Sequence, residues 1–331
     1  MWAVNTNPVR QKRGRKVKKL LTAVIVAALA WSGFWFVSVH FERKAIDGWI
    51  EARRAEGWTA SYEDLSFQGF PNRVDARLSG LVLESPEGLR WEAPFVDIYR
   101  LVYNFGHEIL AFPPQMTLTT ELGETQVASD GMRASFVHEG DIVVRANFES
   151  QTLNLTGATT AALAGLTAAL TRDEGQDTSY RIAVGADAIA GSGGRVADAI
   201  RLDAGFDTDL PLRVGRQAGP HPQPLRVDLR LAEYKVDDLQ LKVAGDVDVD
   251  DDGKLDGQVT VKAVNWREMI DLARQSGQLP EGMAKALEDG LGLVAGLSGN
   301  RDTLDLPLTL DRGIARLGPI PLGEAPRLRF P

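Results

Sequence analysis

Apolar residues without a single charge run from Leu20 to Val39 (LLTAVIVAALAWSGFWFVSV), and beyond Gly57 the pattern changes to a two-residue alternation of apolar and polar positions. A helix rising about 1.5 Å per residue carries the first stretch across roughly 30 Å, the hydrocarbon thickness of a bilayer, so residues 20–39 are predicted to be a transmembrane anchor. Residues 41–56 (FERKAIDGWIEARRAE) place Ile46, Trp49, Ile50 and Arg53 on one helical face. They predict a helical neck over 40–57, ended by Gly57.

Val74, Ala76 and Leu78 then alternate with Asp75, Arg77 and Ser79, and Leu225, Val227, Leu229 and Leu231 alternate with Arg226, Asp228 and Arg230. The same period recurs over residues 141–157, 179–191, 239–250 and 257–264, which predicts half-buried strands. Pro71, Pro94, Pro113, Pro114, Pro220, Pro222 and Pro224 fall between these runs or at their ends, where a missing N–H costs least. The segment GRQAGPHPQP (215–224) reads as a loop. Helical periodicity returns over Trp266–Gln275, with Trp266, Met269, Ile270 and Ala273 on one side, and from Pro280 through Met283, Leu287, Leu291 and Val294. A third helix is predicted from Thr159 to Leu170. DTLDLPLTL and IARLGPIPLG, joined at Asp311-Arg312-Gly313, predict a closing hairpin. The fold class is therefore α+β and mostly β: an N-terminal transmembrane helix followed, over 58–331, by a large and mostly antiparallel sheet with a few covering helices.

Charge orients the anchor. The first nineteen residues hold Arg10, Lys12, Arg13, Arg15, Lys16, Lys18 and Lys19 and no acid, whereas Glu42, Arg43, Lys44 and Asp47 mix both signs after the span. The positive-inside rule makes 1–19 a basic cytoplasmic N-terminus of a single-pass inner-membrane protein and places the bulk of the chain in the periplasm. Trp31, Phe34, Trp35, Phe36 and Phe41 crowd the outer end, where aromatic rings favour the headgroup layer. A cleaved signal ending at Ala28-Leu29-Ala30 is the competing reading. Outside the basic segment, 30 basic residues face 45 acidic ones, a balance that argues against nucleic acid as a partner. There is no cysteine, so disulfides, thiolate metal sites and thiol nucleophiles are excluded.

Candidate chemistry is sparse. In GDVDVDDDGKLDG (245–257), Asp248, Asp250 and Asp252 match positions 1, 3 and 5 of a calcium loop and Gly253 matches position 6. Position 12 is Val259 rather than a carboxylate, and the flanks have a strand period. The segment is predicted to close a β-hairpin with Val247 and Val249 turned to the core. His40, His107, His138 and His221 lack zinc-ligand spacing. GLSGN (296–300) and GSGGR (191–195) lack the flanking residues of a nucleophile elbow and a phosphate loop, and both read as turns.

The anchor followed by GWTASYEDLSFQGFPNRVD, with Gly57, Trp58, Tyr62, Gly69, Phe70 and Pro71, is joined by FPPQ (112–115), AGDVDVDDDGKLDGQVTVKAVNW and LPLTLDRGIARLGPIPLGEAP. Together these stretches resemble domain of unknown function family 2125, a Gram-negative family itself similar to AsmA-like envelope proteins. The segment around Gly245, Asp252, Gly253 and Gly257 resembles the strand-turn-strand unit of AsmA-like repeats. The resemblance implies a tethered sheet curved into a groove, in proteins acting on lipid traffic or envelope homeostasis, and it supplies no catalytic residue. The expected function is a membrane-anchored periplasmic β-groove protein that binds or transfers lipid. The alternative is a non-catalytic structural or protein-interaction factor of the envelope. No enzyme activity, cofactor, metal or catalytic residue is expected. The expected partners are the inner-membrane bilayer, a lipid ligand and other envelope proteins.

Overall fold

The computed structural model describes residues 12–191, 196–214, 221–275, 281–297 and 302–330. Arg10 at one end, Pro280, and parts of the GSGGR, GLSGN and GRQAGPHPQP segments lie outside the described residues. One helix, α1 (Lys12–Ala55), runs through anchor and neck without a break. It stops as the glycine requires: Gly57 adopts φ +89°, Gly57 N–H donates to the Arg54 carbonyl at 3.1 Å and Trp58 N–H to the Arg53 carbonyl at 3.0 Å.

The sheet is an antiparallel meander in which each long strand pairs with the one before it. It begins with β1 (Thr59–Ser61), β2 (Asp64–Gln68), β3 (Arg73–Glu84) and β4 (Arg90–Leu101), β1 and β2 both pairing with β3. Next comes a hairpin whose two arms are each interrupted once. One arm is β5 (Asn104–Ala111) and β6 (Gln115–Thr120), the other β7 (Gly123–Asp130) and β8 (Arg133–Glu139). The first interruption is the FPPQ stretch, where Pro113 and Pro114 cannot donate to a ladder. β9 (Ile142–Gly157) pairs with both β7 and β8 and carries the meander to β10 (Ala161–Arg172).

β10 covers the segment predicted as a third helix. Alanine and leucine rank highest in helix propensity, but that preference is worth only about 0.7 kcal/mol per residue at most, and here it loses to two flanking ladders, Ala168 pairing with Phe148 on one side and Val184 on the other. Gly165, at φ +62°, supplies the irregularity that periodicity read as a glycine inside a helix.

β11 (Ser179–Ala186) and β12 (Ala188–Gly191) form the next interrupted strand, followed by β13 (Val196–Ala197) with β14 (Ala199–Thr208), β15 (Pro224–Val236), β16 (Leu239–Val249) and β17 (Leu255–Val264). Two helices, α2 (Trp266–Gln275) and α3 (Glu281–Leu297), precede β18 (Thr303–Asp311), β19 (Ile314–Leu317) and β20 (Ile320–Glu324). The late helices and the turn at Asp311-Arg312-Gly313 thus stand where the sequence places them, but IARLGPIPLG turns back at Gly318 into two strands, β19 and β20, rather than one arm of the hairpin. Of the second helix's apolar stripe, Leu291 packs on the sheet, while the side chains of Met283, Leu287 and Val294 lie outside the described residues.

The aspartate-rich segment is the β16–β17 hairpin, with Val247 and Val249 buried. Asp250 Oδ1 accepts from the Asp252 and Lys254 amides at 2.9 and 2.8 Å, which fixes the turn, and Gly253 takes φ +75°. Asp246 and Asp248 both lie against Arg226, and Arg329 donates to the Asp251 carbonyl at 3.1 Å. The carboxylates are spent on turn geometry and cross-strand pairing.

On β3 and β4, Arg77 grips Asp97 in a two-bond fork at 2.6 and 2.7 Å, and Tyr99 adds a third bond at 3.1 Å. The Arg77 guanidinium is the main reason Asp97 titrates below the ordinary carboxylate range, burial opposing it. A depressed folded-state pKa contributes stability above the unfolded carboxylate value of about 4, and that contribution disappears as pH falls through the folded value. Asp97→Asn is therefore expected to destabilise the protein by about 1 kcal/mol at pH 7, with Arg77 half-exposed and screened. Thermal melts of the two proteins should converge as pH drops below about 4; a gap that stays constant well below that pH would contradict the pairing.

Candidate functional site

The registers place one apolar residue from each successive long strand in a single row across the sheet. It runs Ala76, Ile98, Leu110, Ala134, Phe148, Ala168, Val184, Leu202, Ala232, Val243, Val261 and Leu306, each paired directly with the next. Because side chains alternate between faces, such a row lies on one face only. Parallel to it, Leu166, Ile200, Leu241 and Leu304 extend the same apolar surface. The opposite face carries the ion pairs Arg77–Asp97, Arg133–Glu149 and Arg181–Asp203. A shallow depression of about 790 Å³ lies among the latter two, floored by small residues such as Thr167, Ala183 and Gly185. The depression is open to solvent, and of its charged lining Arg133 is paired with Glu149 and Asp203 with Arg181.

Helices cover both ends of the apolar face. At the start, Ile46 and Ile50 of α1, the latter 2 % exposed, pack with Leu65, Ala76, Leu78, Val96 and, from farther along the sheet, Phe148. At the finish, Trp266 and Ile270 of α2 with Ala284 and Ala295 of α3 pack on Ala263, Leu304, Leu241 and Leu306. Ala168, Val184, Leu202 and Ala232, on β10, β11, β14 and β15, belong to neither cluster and are half-buried. From β9 to β16 is five strand spacings of about 4.8 Å, so the floor between the helix-covered ends measures roughly 24 Å.

Beside α1 this face carries a charged cluster. Arg100, cross-strand from Val74 and Glu108, forms ion pairs with Glu42 of α1 and with Glu108, the latter at 3.1 Å. Burial pushes the Arg100 guanidinium below its ordinary pKa, opposed by the Glu108 charge. Further polar clamps hold α1 to the sheet: Arg43 donates to the Leu65 carbonyl at 2.9 Å, Arg54 to the Ala60 carbonyl at 2.6 Å, and the Tyr62 hydroxyl to Asp47 at 2.5 Å. The hydrogen bond to Asp47 is also what chiefly raises the Tyr62 pKa.

The clamp reaches into the apolar stretch. Trp31 Nε1 donates to Asn72 Oδ1 at 3.2 Å and Trp35 Nε1 to the Arg73 carbonyl at 2.6 Å. Trp35, only 8 % exposed, packs with Val74 and Val102 in the body of the protein. Trp35 turns its ring to the sheet, which offers the indole both an apolar contact and an acceptor. Phe36 and Phe41 do remain exposed. The four histidines stand on separate elements, His107 near Ser135 and His138 near the Gly140 carbonyl. Among the described residues, no three His, Asp or Glu side chains converge as metal ligands.

An apolar helix long enough to cross a membrane, clamped to a broad antiparallel sheet with one continuous apolar face, defines the class: a helix-bearing β-sheet protein built as a single-pass anchor would be. The chain belongs to the family described as an uncharacterized protein conserved in bacteria (DUF2125), whose model matches residues 35–326. The match begins at Trp35, the first residue of α1 buried in the sheet's core. No curated protein and no solved structure matches the chain.

Proposed function

We propose that this protein is held in the inner membrane by α1 with its N-terminus in the cytoplasm, and that its sheet binds or passes on lipid in the periplasm. The observation that carries the reading is the row from Ala168 to Ala232, an apolar floor left between two helix-covered ends. Each methylene sheltered there contributes about 0.8 kcal/mol, so an acyl chain gains substantially from lying along it. The basic segment before the span supports the orientation. A groove of the AsmA-like kind, including curvature of the sheet, belongs to the same proposal, and the role is non-catalytic. Other envelope proteins are proposed as partners in handing lipid on; nucleic acid, facing an acidic body, is not.

The test is lipid mass spectrometry on the gently solubilised protein and on a Val184→Glu, Leu202→Glu variant. Bound lipid is expected in the parent and lost from the variant, with the sheet's circular dichroism retained. Equal lipid in both, or none in the parent, would instead favour a structural or interaction factor. The cluster of α2 and α3 on β16 to β18 favours that second reading locally, since it completes an ordinary core.

A further inference from the structure

The helix touches the sheet before it has crossed a bilayer. Counted from Leu20, the first uncharged residue, α1 has risen only about 17 Å at Trp31 and about 23 Å at Trp35, against a hydrocarbon thickness of about 30 Å. Yet Trp31 and Trp35 are already hydrogen-bonded to Asn72 and Arg73, at the turn between β2 and β3. Counting instead from Val17, so that Lys18 and Lys19 snorkel toward the cytoplasmic headgroups, gains only about 5 Å. Helix tilt shortens the projected rise and widens the shortfall.

The turn itself is dressed for such a place. Phe70 is 55 % exposed, and its ring lies 5.4 Å from that of Trp35 and 6.3 Å from that of Phe36, itself 63 % exposed. The adjoining β4–β5 turn, tied in by the Val102 amide on the Asn72 carbonyl at 3.2 Å, presents Tyr103 at 67 % exposure. In water these rings are an unexplained apolar cost. Continuous with the apolar surface of α1, they form a surface for the lipid that surrounds the helix.

We propose that the β2–β3 turn, Gly69 to Asn72, is a second membrane contact that dips into the outer leaflet beside α1, with Phe70 as its inserted residue and Tyr103 at the interface next to it. The sheet then rises from within the leaflet rather than from above it. The inference rests on the reading of α1 as a membrane span and is independent of what the apolar trough binds.

The chain has no cysteine, so single sites can be labelled directly. Full-length Phe70→Cys, with Ile25→Cys in the anchor and Leu122→Cys at the far end of the sheet, 81 % exposed, would each carry a nitrobenzoxadiazole fluorophore in phosphatidylcholine–phosphatidylglycerol vesicles. Tyr103→Cys provides a second reporter should the label at 70 disturb its ring contacts. Nitroxide placed near the top of the acyl chains is expected to remove most of the emission at 70, to remove part of it at 103, and to leave 122 unchanged, with a blue-shifted spectrum at 70. Emission at 70 and 103 as insensitive as at 122, with that at 25 quenched, would overturn the proposal while leaving the anchor standing. Unquenched emission at 25 would overturn the anchor reading and this inference with it.

Discussion

Gly245→Ala is expected to destabilise the protein by at least about 3 kcal/mol, seen as a lowered midpoint in denaturant titration of the solubilised chain. A Cβ there would lie 2.2 Å from the Gln258 carbonyl oxygen and 2.6 Å from Val259 Cα. Both obstacles are backbone of the paired strand β17, so the clash cannot be relieved by a rotamer change. β16 and β17 would have to part, and with them the rows that run on to β18. Gly257, two cross-strand pairs along, would meet the Asp246 carbonyl at the same 2.2 Å. Gly185→Ala provides the contrast. Its nearest neighbours are 3.7 and 3.8 Å away, an ordinary contact, and it should be neutral or stabilise by up to about 1 kcal/mol through the unfolded state. Equal effects at 185 and 245 would show that the β16–β17 approach is looser than the structure has it.

Arg100→Met should have the largest effect among the polar residues, about 3–5 kcal/mol, because it strands Glu42 and leaves Glu108 without its main partner. The Glu42 side chain is 6 % exposed and that of Glu108 29 %, so it is Glu42 that cannot recover by turning to water. The sign of the second mutation distinguishes this cause from lost packing. Adding Glu42→Met to Arg100→Met should restore most of the loss, since an apolar pair in place of a buried ion pair is often neutral or better. Additive losses in the double variant would mean that the volumes, not the charges, hold α1 to β4.

Much of this architecture was legible from residue order, for identifiable reasons. The anchor, the two late helices and the Asp-rich hairpin each depend on a pattern that is complete within ten to twenty residues. Where two local signals competed, as at 159–170, alanine and leucine suggested a helix while the deciding partners, Phe148 and Val184, came from neighbouring strands. The contact of Trp35 with the sheet was hidden for a related reason: it depends on the Arg73 carbonyl, which lies 38 residues along the chain. The apolar floor was half visible. Alternation says that Val184 and Leu202 point the same way as their neighbours two positions along, but not that they meet each other. That depends on register, which the irregular positions at Gly165 and Asp187 shift in ways that no period reveals. The Glu42–Arg100–Glu108 group was invisible, being three charges from three elements with no spacing in common.

The joint between α1 and the sheet has a mechanical consequence. With Trp31, Trp35, Glu42, Arg43, Asp47 and Arg54 all gripping one side of the sheet, the helix and the first strands form a crank rather than a hinge. Twelve long strands stand side by side along the apolar row, roughly 50 Å from first to last. With α1 spanning a bilayer as proposed, a change of a few degrees in its lean would carry the far edge of the sheet through several ångströms.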